Sequence, residues 1–421
     1  MEHHTQSVDD HLIESLSFQP KKGASYVNDR RSVTYFPQGG NSYAPGGVKV
    51  ARIMITGENA WLDPSTVKIL FKLRNLHASD ELQPLVAGAH AFFRRLRLII
   101  GGQIVEDIDH VNRVTQLFHM MMPDEKARND SIEGFGGTSP TEPGRLAPHT
   151  TRSAMFTPFC GIFNQDKYLP IRYAPIQLKL EVVSHGSDAC RSHIDDKPGS
   201  QDFLIEDIQL KADIVTLDSG LDNEYAQHMN NAKTLPVNFS TYSSCVQVSS
   251  GGGDNNINIS RALTRLKGVF VSLYKPPPDQ RKYSETNLFW HPMGGVYADD
   301  REVRFEMQIG AKKWPEYPLE TKSEAFYQLR KALGVHSRFS PSIGIQQTEY
   351  YKDKFVLAID TEKVLGSYDS RSAFTGYNSK AGDLLTLRIT NTGLAVTDRI
   401  VTLLNYDSIL NVSDSGVTVL E

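Results

Sequence analysis

Six residues between positions 185 and 196 carry side chains that hold transition metals. His185, Asp188, Cys190, His193, Asp195 and Asp196 offer imidazole, thiolate and carboxylate donors, and the H-x4-C-x2-H spacing could bring three of them around zinc. The cluster sits in a Ser-, Gly- and Asp-rich stretch between two strand-like runs and lacks a second paired half. A solvated surface loop is therefore the expectation, with no metal and no cofactor. Phe92-Phe93-Arg94-Arg95-Leu96-Arg97 interleaves aromatic and guanidinium groups, as platforms for single-stranded nucleic acid do. Strand alternation would turn Phe93, Leu96 or Leu98 inward and expose only part of the Arg set. That favours a strand with a solvated or inter-subunit basic face, and no sequence-specific nucleic-acid binding is expected.

The constellations of common enzymes are missing. Ser249-Ser250-Gly251-Gly252-Gly253-Asp254 lacks the Lys-Ser/Thr that completes a phosphate loop and reads as a hairpin tip. Gly134-Phe135-Gly136-Gly137-Thr138 opens no expected helix and reads as a flexible loop. Neither Gly-x-Ser-x-Gly nor His-Glu-x-x-His occurs. No catalytic, cofactor-binding or metal-binding residue is assigned, and the chain is not expected to be an enzyme. Asn129, Asn238, Asn258 and Asn411 begin Asn-x-Ser sequons, but no secretory leader is expected ahead of them, so they are expected to stay unmodified.

These residues need a scaffold, and composition bounds it. The 421 residues are 39% hydrophobic and 22% charged, enough to bury a sizeable core without disulfides. Lys+Arg 45 against Asp+Glu 49 leaves a net charge of −4, which argues against a protein that coats nucleic acid. Apolar runs such as Leu96-Arg97-Leu98-Ile99-Ile100 are far shorter than the roughly 18–20 residues of a membrane helix. Three cysteines at wide spacing, Cys160, Cys190 and Cys245, suit a reducing compartment better than a disulfide framework. Folding inside a cell, without a membrane anchor, is the expectation.

Residues 1–46 have little apolar periodicity and read as an N-terminal arm, with Leu12, Ile13 and Leu16 its only apolar patch. From Val48 the texture is β. Strands are expected at 48–55, 66–74, 92–100 and 103–108, the last two joined across Gly101-Gly102. Others follow at 153–163, 168–183 and 203–217, then at 235–248, 257–260, 265–274, 303–309, 354–360, 383–390, 398–406 and 409–420. A helix over 109–122 carries Val111, Val114, Leu117, Phe118, Met121 and Met122 on one face. Thioethers at that spacing fill core gaps rather than bind metal. A second helix starts at the capping box Thr321-Lys322-Ser323-Glu324, and a linking helix is expected at 221–231. Long loops are expected at 123–150, 275–302 and 336–350. With no βαβ alternation, the expected fold is all-β: a first unit over 47–217 and a second over 218–421, with a linker at 218–231.

The order of segments adds a resemblance. Leu82-Gln83-Pro84, Phe92-Phe93-Arg94-Arg95-Leu96-Arg97-Leu98, Gly102-Gln103-Ile104-Val105-Glu106-Asp107 and Lys167-Tyr168-Leu169-Pro170 are similar to the first half of a capsid family. Leu235-Pro236-Val237-Asn238-Phe239, the run 258–271, Ile309-Gly310-Ala311-Lys312-Lys313-Trp314-Pro315 and Phe374-Thr375-Gly376-Tyr377-Asn378 resemble its second half. The family is the double jelly-roll major capsid proteins of tailless icosahedral DNA viruses, of the Polinton-like virus and virophage type. The resemblance implies two eight-stranded jelly rolls side by side, with short helices between strands. It also implies a pseudo-hexagonal homotrimeric capsomer tiling a virion shell around a DNA genome, with penton and minor capsid proteins as further partners. Two other readings stand beside it. A jelly-roll carbohydrate-binding or receptor-attachment protein would use Trp61, Trp290 and Trp314. A cupin-like enzyme would need a His-rich barrel, whereas the 13 His are scattered.

Overall fold

The computed structural model describes residues 26–137, 143–192, 199–231, 233–275, 289, 303–335, 343–351, 354–363, 375–380, 384–390 and 393–421. The first half runs β1 (Val27–Tyr35), β2 (Val50–Ile55), β3 (Trp61–Asn75), β4 (Phe93–Ile100), β5 (Gln103–Ile108), α1 (Val111–Met121), α2 (Asp124–Glu133), β6 (Thr151–Phe156), β7 (Ile176–Val182) and β8 (Phe203–Leu217). The helix α3 (Ser219–Asn230) leads into the second half. There follow β9 (Leu235–Val248), β10 (Asn255–Ile259), β11 (Leu266–Tyr274), β12 (Arg304–Ile309), β13 (Lys312–Leu319), α4 (Lys322–Ala332), β14 (Val356–Asp360), β15 (Leu385–Thr390), β16 (Arg399–Ser413) and β17 (Gly416–Leu420).

Strands β1-β8-β3-β6 make one sheet and β2-β7-β4-β5 the other. The second half uses β9-β16-β11-β14 and β10-β15-β12-β13, the same order with eight added to every number. Each half thus carries the eight strands of a jelly roll, the second with β17 added along β16, and the all-β expectation holds. Alternation writes the core: Val67, Ile69, Phe71 and Leu73 of β3 are fully buried. Phe71 meets Phe92, Phe93, Phe135 and Phe156 within 6.3 Å. Gly101 and Gly102 both take positive φ (55° and 85°) in the two-residue turn between β4 and β5, a conformation that favours glycine.

Several expectations change. β1 lies inside the segment read as an arm and pairs with β8 from Val27↔Leu217 to Tyr35↔Leu210. Only residues 1–25 of that segment lie outside the described residues. The loop expected at 123–150 contains α2, a helix charged on most sides that buries only Ser131. Pro123 ends α1 and also occupies the N-cap position of α2. Residues 249–254 form no hairpin tip, because they pass from β9 in one sheet to β10 in the other. Finally, Phe135 is fully buried and its N–H bonds Ala87 O at 2.6 Å, so the loop read as flexible is pinned at 134–136.

Candidate functional site: the seam between the two rolls

The metal-like cluster is not assembled among the described residues. His185 is exposed, whereas Cys190 is buried in a short strand paired with Gln83 and Pro84, and burial pushes its thiol up. The Asp188 carbonyl accepts from Arg113 Nη2 at 3.2 Å. His193, Asp195 and Asp196 lie outside the described residues. The described residues contain no group of three or more His, Cys, Asp and Glu placed to hold a metal.

The aromatic–Arg run is also divided. Phe93 stacks on Phe156 in the core at 5.3 Å. Arg95 grips Asp107 through two bonds of 2.7 Å, and Arg97 Nε reaches the same carboxylate at 3.1 Å. Arg94 Nε lies 3.3 Å from Asp109 Oδ1. Bidentate pairing of this kind occupies the guanidinium donors that a phosphate would need. Trp61 packs on Tyr225 and Trp314 on Tyr377, each at 4.9 Å, so both rings are committed to internal contacts. Trp290 lies outside the described residues.

Unexpected chemistry appears where β5 of the first roll meets β9 of the second. The pairing of β4 with β5 shifts register after Leu98↔Glu106, leaving Val105 as the extra residue of a bulge. Two successive side chains, Val105 and Glu106, are buried as a result. The Glu106 carboxylate accepts from the N–H groups of Gly161 (2.7 Å) and Ile162 (3.0 Å), from Cys160 Sγ (2.6 Å) and from the Thr241 hydroxyl of β9. At the same point the backbones nearly touch: a Cβ on Gly161 would lie 2.0 Å from Ser240 O. Asp109 O accepts from Ser244 Oγ at 2.6 Å, and Pro236 O accepts from Lys167 Nζ at 3.1 Å.

Alongside these polar links runs an apolar contact. Phe118 of α1 stacks on Phe159 at 5.3 Å and meets Tyr242 of β9 at 4.9 Å and Phe270 of β11 at 5.4 Å. The buried Arg113 guanidinium lies 5.4 Å from the centre of the Tyr274 ring. The second roll's β9–β14 sheet is consequently covered on both faces, which explains the nearly unbroken burial of β11 and of β16 through Leu410.

Electrostatically, burial raises the Glu106 carboxyl above its ordinary value, and its four donors oppose that rise without cancelling it. Burial also drives the neighbouring Cys160 thiol up, with the Glu106 charge adding to it. A few residues away, Lys267 Nζ lies 3.4 Å from both Asp407 Oδ1 and Glu362 Oε1. The arrangement supplies firm attachment and no exposed nucleophile. Nothing in the sequence pattern marked Glu106, because a bulge in an otherwise alternating strand leaves no periodic trace.

No protein-family model matches this sequence, and no curated protein matches it. Solved structures do. VP54 of PBCV-1, as fitted into a reconstruction of the virophage Sputnik, superposes with a TM-score of 0.64 at 11% identity. That match covers 96% of this chain and 100% of the other. The chain has the double jelly-roll fold. The Faustovirus major capsid protein shares this double jelly roll with a TM-score of 0.61 at 8% identity, over 96% of this chain and 93% of that one. A chain of the Sputnik virophage gives 0.59 at 10% identity, over 98% and 93%. At such identities the likeness is one of double jelly-roll architecture, carried by strand order and packing rather than by shared residues.

Proposed function

We propose that this chain is a major capsid protein, acting structurally rather than as a catalyst. It associates with itself as a pseudo-hexagonal homotrimer, and the trimers tile an icosahedral virion shell around a DNA genome. The observation that carries this reading is the near-complete overlap, at both chains' full length, with the fold of viral major capsid proteins. The buried seam supports it, because two rolls fixed to one another behave as one rigid tile. Penton and minor capsid proteins are the proposed further partners, with synthesis and folding inside a host cell.

In this reading the first roll begins at β1 and the second begins after α3. Negative-stain microscopy of purified protein across a concentration series tests the proposal. Particles of hexagonal outline, or closed shells, are the expected result. A field of single elongated monomers at every concentration would sink it.

A further inference from the structure

Two histidines are folded against one another where α1 rests on the first roll. His90 belongs to the helical turn Ala89–Phe92, whose four residues are all buried, and is itself 5% exposed. Its ring packs directly over the Gly88 backbone, where a Cβ would lie 2.1 Å from His90 Cε1. From α1, Gln116 and His119 face it three residues apart. Gln116 Oε1 lies 3.2 Å from His90 Nε2, and the two imidazole rings are 6.0 Å apart. Asn112 Nδ2 donates to Ala91 O at 3.4 Å and ties the same helix to the same turn. Phe118, the residue before His119, is the ring that meets Tyr242 and Phe270 across the seam.

We propose that the His90–His119 pair is an acid-sensitive latch: charging it releases α1 from the 89–92 turn and loosens the seam between the rolls. The surroundings favour neutral rings. A charged His90 would face His119 and the buried Arg113 guanidinium, with the Gln116 side-chain oxygen as acceptor. Burial holds the His90 imidazole far below the ordinary 6.5, at about 3, and the His119 and Arg113 charges add to that. Burial lowers His119 as well; Asp130 of α2 opposes the shift and Lys126 of α2 reinforces it. At the start of α1, burial lowers His110 too, with Asp109 and Asp188 opposing and Arg94 and Arg113 reinforcing. From the second roll, the Tyr274 ring faces Arg113. Rings held neutral while α1 is docked, and free to charge once it moves away, favour docking above the ordinary 6.5. That preference is lost steadily as pH falls from there toward the value of about 3 at His90.

Hydrogen exchange of the full chain, read by mass spectrometry at about pH 7 and about pH 4.5 and corrected for intrinsic rates, tests the latch. Through His90 alone, protection of 111–121 should fall about tenfold for each pH unit below 6.5, up to about 100-fold. Peptides within 235–248, on the far side of the seam, should lose protection with it. His90→Gln combined with His119→Gln removes both charges and should flatten the fall. His119→Gln alone, at a half-buried site, should reduce it, and it serves if the double variant does not fold. Glu106 titrates with the opposite sign but is present in every variant, so it cancels in the comparison. Equal protection of native 111–121 at both pH values, or an undiminished fall in the variants, would overturn the latch. A fall confined to 111–121 would overturn its link to the seam.

Discussion

Gly161 and Glu106 show what single residues contribute to the seam. Gly161 needs no special φ; it is required because Ser240 O occupies the space of a Cβ. Gly161→Ala should therefore force the rolls apart locally and cost about 1–3 kcal/mol, measurable by urea unfolding. Glu106 carries a pH signature. Its carboxyl is raised in the folded chain above the ordinary 4.5, so the stability tied to its protonation is fully present below that value. It is lost as pH rises through the raised value. Comparing the protein with Glu106→Gln at about pH 4 and about pH 8 should show the native residue losing ground at the higher pH. A difference that does not change with pH would mean the carboxyl is not strained by burial. Neither residue was legible in the sequence. Glycine pressed against a carbonyl from 79 positions away looks like any loop glycine, and a glutamate in a strand looks solvated. The residues that did attract notice, His185 and the Arg94–Arg97 set, turned out to be exposed or already paired.

Elements were more readable, and their failures have physical causes. The α1 stripe and the Thr321 capping box are where periodicity and cap chemistry put them: Glu324 N donates to Thr321 Oγ1 at 3.1 Å, and Thr321 N donates back to Glu324 Oε2 at 3.2 Å. β1 escaped notice because it is an edge strand whose central residues Asn28 to Ser32 are all exposed, which removes the apolar alternation. β13 escaped for a similar reason, with Pro315 and Pro318 inside it and an outer edge that needs no ladder bonds. Buried Asp407 and Ser408 disguised β16, one 15-residue strand, as two. The two helices sit at equivalent places, between the fifth and sixth strands of each roll, and each buries a leucine: Leu117 at 1% exposure and Leu329 at 0%. Leu117→Ala and Leu329→Ala should each cost about 2–5 kcal/mol, since neither site can collapse against a rigid sheet. Thr321→Ala should cost roughly 0.5–2 kcal/mol, because the Glu324 N–H loses its acceptor. Thermal melts within error of the native protein for both leucine variants would contradict the packing described.

For the whole molecule, the contrast between the two kinds of contact sets an order of events. The seam inside the chain is built from stacked rings, a buried carboxylate with four donors and direct backbone contact, none of which bulk salt reaches easily. The proposed contacts between copies form across the outer surface, where charged groups such as Arg74, Lys312 and Glu316 are exposed. Screening falls from a reach of about 8 Å at physiological ionic strength to about 3 Å at 1 M, so the second kind of contact weakens first. Raising salt should therefore release copies before it separates rolls or melts sheets. Light scattering coupled to size exclusion should follow a trimer mass at low salt to a single-chain mass at high salt. Near-ultraviolet circular dichroism, which reports the packed rings at Phe118, Tyr242 and Phe270, should stay unchanged across the same range. If the aromatic signal is lost together with the trimer, the distinction between the seam and the contacts between copies fails. If the mass stays at one chain even at the lowest salt, the tile does not associate, and the capsid role loses its mechanical basis.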